Sequence, residues 1–288
     1  MLKKLLKYEF KSVAKLLVPI LLGIIGLALI NAILLSISKH YIFSDNVAMP
    51  TIYAIIALIS SFVMLISIFV LYASIFILII LILQRYYTNF FKDEGYLTFT
   101  LPVEIKDHFN AKIISGLAWM FMGGITISIA VFIVALFASA PDGYIINTHI
   151  FDYIYIYFLR PIIEGVSTTD LIIYIVEIIV AIFIVALGQL LLYYLAVTIG
   201  CIISKKHKVL ASIGVYFGIN TGMGILTSIL LIIITTIFAI SENGYDDSLY
   251  ANNFLQIYML ALIIMYSIAA IVAYINCRSM LTKKLNLE

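Results

Sequence analysis

Few side chains in this sequence are equipped for covalent chemistry, and those few are scattered. The four histidines, His40, His108, His149 and His207, lack the spacing of metal ligands. There is no G-x-S-x-G nucleophile elbow and no H-E-x-x-H zinc motif. The phosphate-cradling G-x-x-x-x-G-K-[ST] is missing too, so this chain is not expected to bind and hydrolyse ATP itself. Cys201 and Cys277 read as small packing residues. The reading is of a chain with no catalytic residue, no metal and no cofactor of its own, and no nucleic-acid partner.

The remaining polar candidates sit inside apolar stretches. Glu177 is the one acidic residue within such a stretch. Ionisable groups at depth serve as proton relays or substrate ligands, because burying their charge is costly. Yet about 20 residues counted outward from Ser204 stop short of Glu177, so a place in the outer headgroup layer accounts for it as well. Gln189 and Asn220 lie at similar depths on either side of a short connection. They are expected to hydrogen-bond to each other or to nearby backbone, or to line a polar translocation path. Gly214, Gly218 and Gly222 recur every fourth residue, a doubled G-x-x-x-G that lets another helix approach closely, from this chain or from a second subunit.

These residues need a frame, and composition dictates which. Hydrophobic residues are 64% of the 288 and charged residues 11%. Soluble domains average roughly half and a quarter. Lipid must therefore be the solvent. Six long apolar stretches cover about 16–38, 52–84, 112–139, 171–204, 209–240 and 254–276. Each exceeds the roughly 20 residues that a crossing needs. The fold expected is all-α, one transmembrane domain of six spans with no separate soluble domain.

Positive charge orients it. Of 17 basic residues, all but Lys39 and Arg160 fall before the first stretch, in alternate gaps, or after the sixth. Basic residues near spans stay cytoplasmic, which puts both termini inside. Residues 1–15 carry Lys4, Lys7, Lys11 and Lys15 on one helical face, with Leu2, Leu6, Phe10, Val13 and Leu17 opposite. This is the pattern of an interfacial helix with its apolar side in lipid. Pro19 would sit near the start of the first span, where proline is tolerated. In the outer segment 140–170, Tyr153, Tyr155 and Tyr157 alternate with Ile154 and Ile156. That alternation resembles a strand, while tyrosines there also suit an aromatic belt or a lid over an exit path.

The segment 85–111 is the largest inner connection. Asp93, Glu94 and Gly95 signal a helix stop and turn. Tyr96, Leu97, Phe99, Leu101 and Pro102 follow. Such residues are out of place in a solvated loop, where polar turn residues dominate, and should be covered by the membrane interface or another protein.

The passage 91–103, FKDEGYLTFTLPV, resembles the loop between the second and third spans of permeases in ATP-binding-cassette exporters. The likeness is closest to the drug and bacteriocin exporter class of low-GC Gram-positive bacteria. The opening Leu6, Lys7, Tyr8, Glu9 and Phe10 looks like the start of the same permeases, and the six-span layout is similar. The resemblance implies a bacterial cell-membrane subunit that pairs with a second permease, identical or related, and with two copies of a separate ATPase that holds ATP and Mg. Phe91, Asp93, Glu94, Gly95, Tyr96, Leu97, Phe99, Leu101 and Pro102 match the segment that contacts the ATPase. The implied cargo is an amphipathic peptide, a toxin or bacteriocin, or a hydrophobic drug. Two other readings stand beside it: an ion-coupled carrier with Glu177 as relay, and a membrane enzyme or assembly factor.

Overall fold

The computed structural model describes residues 2–42, 51–92, 95, 104–138, 149–156, 160, 168–204, 206–241 and 247–283. Among these residues every regular element is a helix and none is a strand. In chain order they are α1 (Leu2–Ile42), α2 (Thr51–Phe91), α3 (Ile105–Ala138), α4 (Ile150–Ile154), α5 (Thr168–Ile203), α6 (Lys208–Ser241) and α7 (Asp247–Lys283). All except α4 are long and apolar enough to cross a membrane, which is the architecture of a multi-pass membrane protein. Helices are the natural choice because lipid offers no partner for an unpaired peptide group.

The long helices outrun a bilayer. The 41 residues of α2 reach about 60 Å at 1.5 Å per residue, against a hydrocarbon core of about 30 Å. Its extra turns carry Tyr86, Asn89, Phe90 and Phe91, beyond the expected limit near residue 84. On the other side of the connection α3 begins at Ile105, ahead of the expected 112.

One continuous helix covers the expected surface segment and first span, and two local expectations are corrected. α1 runs unbroken through residues 15 and 16, so Pro19 lies in a helix interior. There it leaves the Lys15 carbonyl without its usual donor. Val13 and Leu17, expected to face lipid, are buried, and Phe10 stacks on Trp119 with ring centroids 4.7 Å apart. Protein covers that side because α1 is part of the core. The Tyr–Ile alternation forms no strand over residues 150–156, which are helical throughout. An isolated strand would leave its peptide groups unpaired, whereas a helical turn closes its own bonds, as Tyr153 N–H does to the His149 carbonyl at 2.9 Å. Phe151, Tyr153 and Tyr155 are exposed there, and Tyr157 lies outside the described residues.

The chain forms two compact units. One comprises residues 1–9, 83–117 and 162–288. Its centre is α5, which packs along both α6 and α7. Every side chain from 190 through 198 is buried, while the earlier Ile172, Ile173, Ile175 and Val176 are exposed. The other unit comprises residues 10–82 and 118–161. Leu17, Leu21, Ile24, Ala28, Leu78 and Trp119 are buried within it, and Gly123 lets the Leu78 side chain lie against α3.

Close approach of α5 to its neighbours depends on two glycines. A Cβ at Gly188 would meet the Tyr266 carbonyl at 3.0 Å, and one at Gly200 would collide with the Ser212 backbone. Gly200→Leu is therefore expected to lower stability by about 3 kcal/mol or more, beyond an ordinary overpacking cost, because backbone cannot step aside. Gly218→Leu, with open space around its Cβ, is expected to stay within about 0.5 kcal/mol of wild type in the isolated chain. Reversible denaturation in mixed micelles measures both.

Candidate functional site

Five helices converge at the root of the 92–104 connection. α2 ends at Phe91, and the chain turns there: Gly95 N–H donates to the Lys92 carbonyl at 2.7 Å. On the return side the Glu104 carbonyl accepts from Asp107 N–H at 2.9 Å as α3 begins. Of the nine residues matched to the ATPase-contacting segment, only Phe91 and Gly95 lie within the described residues. Asp93, Glu94, Tyr96, Leu97, Phe99, Leu101 and Pro102 lie outside them.

The root is built on a buried ion pair. Lys112 Nζ of α3 reaches Glu9 Oε2 of α1 at 2.6 Å, with the two side chains only 7% and 12% exposed. Asn89 Nδ2 of α2 donates to the other oxygen, Glu9 Oε1, at 3.2 Å. One carboxylate thus holds both arms of the connection, the end of α2 and the start of α3. Charges this deep hold their geometry because neither can leave its partner without a large desolvation cost.

A polar and aromatic stack sits on this pair. Tyr86 is fully buried and lies face to face with Tyr194, with centroids 4.1 Å apart and planes 14° apart. The Tyr86 hydroxyl is 2.8 Å from Thr198 Oγ1. Thr198 gives its own hydrogen to the Tyr194 carbonyl at 2.7 Å, so Tyr86 is the donor. The Tyr194 hydroxyl in turn donates to the Lys112 carbonyl at 3.2 Å. Phe90, Phe91 and Phe109 ring Tyr86 at 5.1, 6.1 and 6.3 Å. Tyr274 of α7 closes the group, 5.5 Å from the Phe109 ring and donating to Asn110 Oδ1 at 3.1 Å. Offset aromatic pairs of this kind contribute about 0.5–1.5 kcal/mol each beyond their burial. The result is a densely packed mount. Among the described residues no group of three His, Cys, Asp or Glu side chains converges on one point. His108 is buried with no partner for Nε2, and His149 meets Asp152 at the surface.

The other candidates lie apart from the root. Glu177 Oε1 accepts from Gln256 Nε2 of α7 at 3.2 Å, and Glu177 Oε2 is buried without a partner among the described residues. That pair is roughly 40 Å along α5 from its C-terminal end. Gln189 Nε2 donates to Asn220 Oδ1 at 3.4 Å, a long bond between α5 and α6. Cβ atoms at Gly214, Gly218 and Gly222 would each meet open space, so no helix of this chain lies on that face among the described residues.

Sequence reasoning missed the mount. Glu9 entered only as one letter of an opening motif, and Asn89, Lys112, Tyr86, Tyr194 and Thr198 were not singled out. One signal was available: Glu9 is the lone acidic residue among the five lysines of the first 15 positions, an outlier that asks for a partner.

Lys112→Met is expected to destabilise the chain by about 3–5 kcal/mol, because it strands the Glu9 charge. Glu9→Leu with Lys112→Met is expected to recover most of that loss, and a double-mutant cycle in mixed micelles measures the coupling. Compared with protein-family models, curated proteins and solved structures, the chain matches none of them. What the site does therefore rests on its geometry.

Proposed function

We propose that this chain is the membrane-spanning permease of an ATP-driven exporter of the ATP-binding-cassette class. Both termini and the 92–104 connection would face the cytoplasm of a bacterial cell, and a separate ATPase would dock on that connection. The observation that carries the reading is the mount at the connection's root. A loop that only joins two spans needs no buried ion pair and stacked tyrosines beneath it. A loop that receives force from a motor does, since slack at its base would dissipate the stroke. Three further features support it: the basic residues crowd toward the same side, Phe91 already faces the mount, and 91–103 resembles the contact segment of such permeases.

Aromatic side chains from 96–101 would enter a cleft on the ATPase while Asp93 and Glu94 meet basic groups at its rim. ATP and Mg would be held on two ATPase copies. A second permease would complete the assembly, packing on the open glycine face of α6. The cargo is read as an amphipathic peptide, a toxin or bacteriocin, or a hydrophobic drug, because fixed charge is sparse along the apolar helices. One observation favours a second reading: the half-satisfied carboxylate of Glu177 is what a proton-coupled carrier would hold.

Affinity purification of the native complex tests the proposal. A nucleotide-binding subunit should come with the wild-type chain and be lost with Tyr96→Ala plus Phe99→Ala. Recruitment unchanged in that variant would reject the docking assignment. Uptake into vesicles holding this chain alone, driven by a proton gradient and abolished by Glu177→Gln, would establish the carrier reading instead.

A further inference from the structure

The first turns of α1 separate their charges by face. Lys3, Lys4, Lys7, Lys11 and Lys15 are all exposed, and none has an ion-pair partner among the described residues. Their only acidic neighbour in sequence, Glu9, points to the opposite side and is neutralised by Lys112. That face therefore carries a positive stripe with no ion-pair partner among the described residues.

That stripe is continuous with the lipid-facing surface. Lys7, Lys11 and Lys15 are spaced by four residues, and Val18 and Leu22 follow at three and four. At 100° per residue these five share one face with Leu29 and Ile33 farther along. Val18, Leu22, Leu29 and Ile33 are exposed apolar side chains, at 40%, 64%, 46% and 55%. One strip of helix thus changes from exposed apolar to cationic between Val18 and Lys15. Lys15 and Lys11 lie about 5 and 10 Å beyond Val18 along the axis. The headgroup layer extends about 5–8 Å outside the hydrocarbon edge, which takes in Lys15 directly and Lys11 by reach of its long stem. Lys7 lies one turn farther and reaches back along its own stem.

We infer that Lys7, Lys11 and Lys15 form a binding site for acidic phospholipid headgroups, so that α1 gathers anionic lipid around the N-terminal end of its span. Charge complementarity selects the occupant: three exposed cations with no ion-pair partner among the described residues follow directly on an exposed apolar face of the same helix. The site follows from α1 alone and depends neither on the transport reading nor on which way the chain is threaded.

The test uses the full chain in nanodiscs of phosphatidylcholine mixed with phosphatidylglycerol. Spin-labelled lipids report which headgroup is enriched at the protein surface. Wild type is expected to prefer phosphatidylglycerol, and the preference should fall by roughly fivefold for each lysine changed in the series K15Q, K11Q and K7Q. The triple Arg variant should retain it, and 1 M salt should suppress it. Equal preference in the triple Gln variant, or preference unchanged at 1 M salt, overturns the site. Should the Gln variants fail to fold, the Arg variant and the salt titration of wild type decide between the same outcomes.

Discussion

The Glu9–Lys112 pair is the interaction on which the described root of the 92–104 connection depends. It is buried, and Asn89 gives its carboxylate a second donor. Three chain segments far apart in sequence are fixed by one charge: the start of α1, the end of α2 and the start of α3. A buried pair adds little net stability over a well-packed apolar pair, but it tolerates only one arrangement. Its contribution is therefore to specify how those three helix ends meet.

Around that pair, α5 supplies the body of the core. Its residues 190–198 are covered on every side, and Tyr194 and Thr198 face the ends of α2 and α3 with hydroxyls that are fully used. The same helix sheds its cover farther along, where isoleucines and valines are exposed. This contrast is physical. Polar groups and tyrosines need partners once they leave water, so they gather where several helices meet, whereas isoleucine is as well placed in lipid as in protein. Buried polar contacts are thus concentrated at the end that carries the 92–104 connection.

The glycines of α5 and α6 show how two similar residues can do opposite things. Gly200 brings α5 against the backbone of Ser212, and Gly188 brings it against Tyr266. Gly214, Gly218 and Gly222 have the better-known spacing but no neighbour among the described residues. Spacing reports that a helix could approach. It does not report that one does, because the approaching surface is not encoded near it.

Composition and charge order alone determined that the described residues are helical, that six long apolar segments recur, and that the basic residues crowd into alternate gaps between them. Those properties are local: apolar length, helix period and lysine position can each be read without knowing what touches what. The turn at Gly95 was legible in the same way, although the helix before it runs on to Phe91, past the limit near residue 84 that apolar length alone suggested. Only the tertiary structure decided that Glu9 holds Asn89 and Lys112, that Tyr86 stacks on Tyr194, that Val13 and Leu17 face protein, and that residues 150–156 coil rather than extend. Each of these is a contact across 75 or more residues or a choice set by the absence of a pairing partner. Such choices depend on which surfaces exclude lipid from one another, and no single stretch of sequence carries that information.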